Sequence, residues 1–192
     1  MTSTELYNDP ASRFEEMKSS TDLLVKEIVW TKGNYFNVEP YEFERAGFKK
    51  GKILKSTPED TNHKLCYLFD EEEKIICIKE GNNIPDNFTY TFYRYFESFI
   101  HSFHFHNSGM IINAQVVSLV HNMVGKMERC ARQGSRIEIY HYEGTVLTQI
   151  DVSQKSGDVE QDFEVLFFYN SDGSLKQIKN IHPNGYEEVV YK

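Results

Sequence analysis

Cysteine is scarce in this chain: Cys66, Cys77 and Cys130 are odd in number and form no CxxC pair. That excludes a disulfide frame and a four-cysteine zinc site, and the three read as reduced, packed thiols. Long apolar runs are missing as well, so no segment is suited to span a bilayer. The N-terminal MTSTELYNDP has neither the positive region nor the apolar core of a secretory signal. The expected compartment is therefore the cytoplasm, with no membrane partner. Positive charge is the third deficit. Lys and Arg number 21 against 29 Asp and Glu, a formal net charge of -8 with no basic patch. Nucleic acid is an improbable partner for such a surface, and a basic protein is the natural one. Motifs of catalysis are absent too: there is no GxSxG, P-loop or GxGxxG. Nothing in the sequence supports an enzyme, and no cofactor is expected.

What the chain has in quantity is aromatic side chains, 12 Tyr and 14 Phe within 192 residues that are 40% hydrophobic. This suits one globular domain with a Phe-rich core. The clearest pattern lies in Ala114 to Gln133. Turned at 100° per residue, Val116, Val117, Leu119, Val120, Met123, Val124, Met127, Cys130 and Ala131 fall in an arc of about 160°. Asn113 suits an N-cap, Ile112 a hydrophobic staple and Gly134 a left-handed C-terminal stop, so an amphipathic helix is expected. Gly125 on its polar face has no local reason. In the stretch from Thr91 to His104 aromatic and Thr content favours strand, but the periodicity, with Phe92, Tyr93, Tyr95, Phe96, Phe99, Ile100 and Phe103 on one arc, favours helix, and a second helix is expected there.

Before these, the first nine residues are polar and expected to fray, and Asp9 with Pro10 offers a helix start. The apolar set from Phe14 to Val29 fits either one helix or a short helix followed by a strand. Residues 31–63 are hard to read. A turn at Lys32 and Gly33, a helical turn opened by Glu39 and Pro40 and stopped by Gly47, and a loop over 56–62 are the expectations. LCYLF, DEEE and KIICIK read as strand, turn, strand, placing Cys66 and Cys77 nearly opposite. After Arg136 the chain reads as a five-strand antiparallel meander over 136–191, punctuated by Glu143–Gly144, QKSGD, NSDG and HPNG. The expected architecture is α+β: an antiparallel sheet packed by two central amphipathic helices, with an N-terminal helix. The helices would rest on a face bearing Ile137, Ile139, Val146, Ile150 and Val152.

Two surfaces carry functional expectations. Asp158, Glu160, Asp162 and Glu164 alternate and would line one face of an extended strand, an acidic row that speeds encounter with a basic partner. Glu138, Tyr140 and Tyr142 would alternate outward on a neighbouring strand if Ile137 and Ile139 point in, giving Tyr beside carboxylate as at protein interfaces. The same acidic row would also serve to keep an edge strand from aggregating. His101, His104 and His106 could offer a pair to a metal, on a helix or on a strand, but no third ligand is evident and no metal is expected. Glu187 and Glu188 are adjacent on a strand and poorly placed for acid and base work. The functional expectation is a non-enzymatic protein-binding module of immunity or inhibitor type that engages a basic protein. The alternative is a small apolar ligand held between the aromatic helix and the sheet.

Overall fold

The computed structural model describes residues 1–8 and 14–192. Among these residues the chain forms one thirteen-stranded antiparallel sheet and three short helices. The helices are α1 (Ser3–Tyr7), α2 (Phe14–Leu24) and α3 (Glu42–Arg45). The strands are β1 (Glu27–Lys32), β2 (Lys52–Ile53), β3 (Lys64–Phe69), β4 (Ile75–Gly81), β5 (Phe88–Tyr95), β6 (Phe99–Phe105), β7 (Ile111–Val120), β8 (Met123–Ala131), β9 (Gly134–Glu143), β10 (Val146–Ser156), β11 (Val159–Tyr169), β12 (Leu175–Ile181) and β13 (Glu187–Tyr191). From β3 to β13 each strand pairs with the next; beyond β3 lie β1 and the edge strand β2.

The expected α+β architecture is therefore corrected: both central helices are strands. Ala114 to Gln133 is the β7–β8 hairpin, turned at His121 and Asn122, which both hold positive φ (51° and 62°). Two consecutive left-handed residues make the tight turn whose twist suits a hairpin, here without the glycine that usually announces it. Ala114, Gln115, Val116 and Val117 are all buried, so the strand is covered on both faces and shows no alternation. Gly125 is the extra residue of a β-bulge: Lys126 pairs with Ser118 and Val124 with Leu119. A Cβ there would lie 2.9 Å from Val120 Cγ2. Gly134 is no helix stop. It opens β9, where a Cβ would lie 2.1 Å from the Lys155 carbonyl oxygen. Likewise Thr91 to His104 is β5 and β6, as its aromatic and Thr content favoured.

The N-terminus differs from the frayed expectation. Thr2 and Glu5 form a reciprocal capping box, and Leu6 of α1 is only 2% exposed against β7 and β8. The helix start expected at Asp9 and Pro10 lies outside the described residues. Over 14–32 the chain takes the second reading, helix and then strand. Phe14 of α2 inserts its ring among Tyr90, Phe92 and Phe105, with centroids 5.1, 6.1 and 5.6 Å away. Such pairs are worth about 0.5–1.5 kcal/mol each beyond burial. Cys66 pairs with Lys79 and Cys77 with Leu68, so the two thiols are diagonal neighbours on one face.

Residues 34–47 cross the other face. Tyr35 N–H donates to Tyr67 Oη on β3 (3.1 Å), Tyr41 packs on Phe167 of β11, and Gly47 abuts the Val190 carbonyl of β13. Ten inter-strand steps would separate β3 from β13 by roughly 48 Å in a flat sheet. About a dozen residues reach about 42 Å even fully extended, and these include a helical turn. The sheet must therefore curl around this segment, giving an inner face filled by 34–47 and an outer face covered by α1 and α2. The outer cover lies over β3–β8; beyond it Ile137 and Ile139 of β9 remain 40% and 37% exposed. No helix among the described residues is long and apolar enough to cross a membrane.

Candidate functional site

The meander strands put unlike chemistry on their two faces, and a bulge decides which residues go where. Leaving the Gly144 turn, Val146 pairs with Glu143 and Leu147 with Tyr142. Had that register continued, Ile150 would face Ile139 and Val152 would face Ile137. Thr148 is instead skipped, and Ile150 pairs with Tyr140 and Val152 with Glu138. A one-residue slip exchanges faces. Ile150 and Val152 go inward with Tyr140 and Glu138, while Ile137 and Ile139 go out. The expected seat for helices is thus corrected: its residues are split between two faces. The outward orientation expected for Glu138, Tyr140 and Tyr142 is reversed as well. Glu138 is 2% exposed, Tyr140 is buried, and half-buried Tyr142 donates its hydroxyl to the Val124 carbonyl (3.0 Å).

On the outer face, β9–β12 form an open groove of about 560 Å³. Ile137, Ile139 and Ile181 supply apolar surface, and Asp151, Asp162 and Glu164 supply charge. Glu160, Asp162 and Glu164 are exposed and alternate along β11, whereas Asp158 falls in the preceding turn and drops out of the row. Three lysines share this face by register and each meets a carboxylate: Lys126 with Glu128, Lys155 with Glu160 (2.8 Å) and Lys179 with Glu187 (2.9 Å). Asp151 accepts from Gln149 (2.6 Å) and meets His141 Nε2 at 2.7 Å; these bonds hold its carboxyl below the usual range. Asp162 and Glu164 have no ionic partner among the described residues, and the charge left over in the groove is negative.

Beneath β9, on the inner face, lies a cluster that sequence reasoning missed. Glu138 accepts from Arg45 Nη1 (2.6 Å) and Arg136 Nε (2.7 Å), while Arg45 Nη2 also reaches Glu39 (3.3 Å). The Tyr140 hydroxyl lies 2.8 Å from Glu39 and 2.7 Å from Glu138. Gln115 Nε2 donates to Glu39 and Gln115 Oε1 accepts from Arg129 Nε (2.9 Å). Burial alone would raise the Glu138 pKa, but the charges of Arg45 and Arg136 outweigh it and hold it at about 2. Glu42 moves the other way: burial, and then the charge of Glu39, push it up to about 7. This cluster fastens 37–45 to the inner face. The only sequence signal for it was the Glu39–Pro40 turn, because the partners lie 76 to 101 residues away.

The histidines do not assemble. His101 and His104 project to opposite faces of β6, and His106 lies past its end. Burial, with the charges of His106 and Arg129, lowers the His104 pKa to about 4. Among the described residues no three His, Cys, Asp or Glu side chains are grouped to hold a metal ion. Glu187 and Glu188 alternate on β13, and their partners are Lys179 and Asn180 respectively. No family model, no curated protein and no solved structure matches the chain.

Proposed function

We propose that the chain is a non-enzymatic binding module that holds a basic, partly apolar protein segment in the outer groove of β9–β12. The observation that carries this reading is the charge balance of the groove. The three lysines that the register places on that face, Lys126, Lys155 and Lys179, are each paired with a carboxylate within the sheet, while Asp162 and Glu164 have no ionic partner among the described residues and lie beside exposed Ile137 and Ile139. A cationic segment gains from the free carboxylates, and its apolar side chains gain from covering the isoleucines at about 25 cal/mol per Å². An immunity-type protein that neutralises a basic partner would have this character. The functional residues are then Asp151, Asp162, Glu164, Ile137 and Ile139, with Glu160 muted by Lys155.

The test compares two baits, the wild-type chain and a variant carrying Asp162→Lys and Glu164→Lys, each used to capture protein at low salt and eluted by raising it. Both positions are exposed, so folding should be unchanged by circular dichroism. A basic protein retained by the wild type, released by salt and lost from the variant supports the proposal. A partner held equally by both baits overturns it. The alternative of an apolar ligand beneath an aromatic helix has lost its upper wall, since Phe92 to Phe103 lies in the sheet.

A further inference from the structure

A second hollow, of about 720 Å³, opens on the outer face at the other end of the sheet, against β1, β3, β4 and β5. That volume is within the range of small-molecule sites. One cross-strand row runs through it: Trp30, Cys66, Lys79 and Tyr90 are paired in register. Phe88 brings its ring to 6.4 Å from Trp30 and 6.3 Å from Tyr90. Two aromatic rings from β1 and β5 thus lean together across β3 and β4, over the small side chain of Cys66. Opposite Phe88 stands Gly81, where a Cβ would lie 1.9 Å from the Thr61 carbonyl oxygen, so the backbone at Thr61 packs closely on that side. The thiol of Cys66 is no nucleophile, since burial pushes its pKa up to about 11.

Lys79 gives the hollow its chemistry. It is half-buried in a chain of net charge -8, and no carboxylate pairs with it among the described residues. Its ammonium lies 5.9 Å over the Tyr90 ring, and Lys18 of α2 also comes within 5.9 Å of that ring. A ring face attracts a cation without neutralising it. Lys55 adds a second positive charge at the border. Glu27 borders the hollow too, but it alternates with Ile28 and Trp30 along β1 and projects to the other face.

We propose that this hollow binds a flat, apolar anion of the aromatic carboxylate class, its ring against Trp30 and Phe88 and its carboxylate on Lys79. The proposal is independent of the acidic groove. Trp30 is the chain's one tryptophan, so intrinsic fluorescence reports on this site. The probes are 1-naphthoate and its neutral analogue 1-naphthamide, titrated calorimetrically while Trp30 emission is followed. Expected are one saturable site, a preference for the acid of roughly tenfold, and loss of that preference in Lys79→Met with naphthamide affinity and Tm unchanged. Absence of saturable naphthoate binding up to about 1 mM overturns the proposal. So does a preference for the acid that survives in Lys79→Met, or saturation that leaves Trp30 emission unmoved. The comparison of acid with amide on the wild-type chain decides the matter even if Lys79→Met fails to fold.

Discussion

Strands β3–β7 and strands β9–β13 belong to one sheet, yet they are stabilised differently and read differently. In β3 the side chains from Leu65 to Phe69 are all buried, because α2 lies over the outer face and Phe36 packs on Tyr67 and Phe69 from the inner one. In β9 burial alternates, with Glu138 and Tyr140 inside and Ile137 and Ile139 outside. The first region is core on both faces, while the second offers a surface. A further contrast lies in the inner layer. Around β3 it is aromatic, and under β9 it is a network of carboxylates and guanidinium groups. Curling of the sheet around 34–47 puts both linings in contact with one short segment.

That contrast can be broken most severely at Arg45. Arg45→Met leaves Glu39 and Glu138 buried without their shared cation, and a loss of about 3–5 kcal/mol is expected, read as a lower urea midpoint. An unchanged midpoint would mean the cluster is no fastening. Next, Leu68→Ala in the two-faced region should cost about 2–5 kcal/mol, since Leu68 is 1% exposed and a cavity would remain. A cost below 1 kcal/mol would show that this core collapses around the deletion.

The pH dependence sharpens the comparison further, because two inner carboxylates act with opposite sign. Glu42 has a raised folded pKa of about 7, so the stability it lends is complete below about pH 4.5 and is lost as pH rises through 7. Glu42→Gln should remove that loss and stabilise the chain above pH 7 by up to about 3 kcal/mol relative to wild type. Glu138, held at about 2, lends stability that is present above about pH 4.5 and disappears as pH falls toward 2. Urea titrations of Glu42→Gln and wild type at pH 5 and pH 8 read the Glu42 effect, and wild type at pH 5 against pH 3 reads the opposite sign of Glu138; equal dependence of both proteins between pH 5 and pH 8 would rule out the Glu42 assignment. The smallest effect belongs to the open groove. Ile137→Thr and Ile139→Thr should each change stability by no more than about 0.5 kcal/mol. A partner that binds the groove should nonetheless be held more weakly by either variant. A loss of several kcal/mol at these positions would mean that the outer face of β9 is covered after all.

The legibility of the fold follows the same division. The hairpins of the meander were evident because Gly144, Gly157, Gly173 and Gly185 take positive φ at their turns and the flanking strands alternate. In β6 and β7 two-sided burial erased the alternation, and nine apolar residues of β7 and β8 happened to fall within a helical arc. The turn at His121 and Asn122, lacking glycine, gave no warning. The Val-rich content of 116–124 was the one signal for strand. Of the candidate surface, the acidic row on β11 was readable from its period, whereas Glu138 and Tyr140 were placed on the wrong face by a register that the bulge at Thr148 breaks.

By itself the sequence determined what depends on neighbours in the chain: the turns, the five meander strands, the hairpin of β3 and β4, the helical turn stopped by Gly47 and the excess of negative charge. Tertiary structure decided between strand and helix for β5–β8, and it alone decided which face of β9 is buried and that Glu39 and Arg45 meet Gln115, Glu138 and Tyr140. The physical reason is that burial, register and ion pairing are properties of the curled sheet and the segment it encloses. Those contacts join residues up to 101 positions apart, and no local period encodes them.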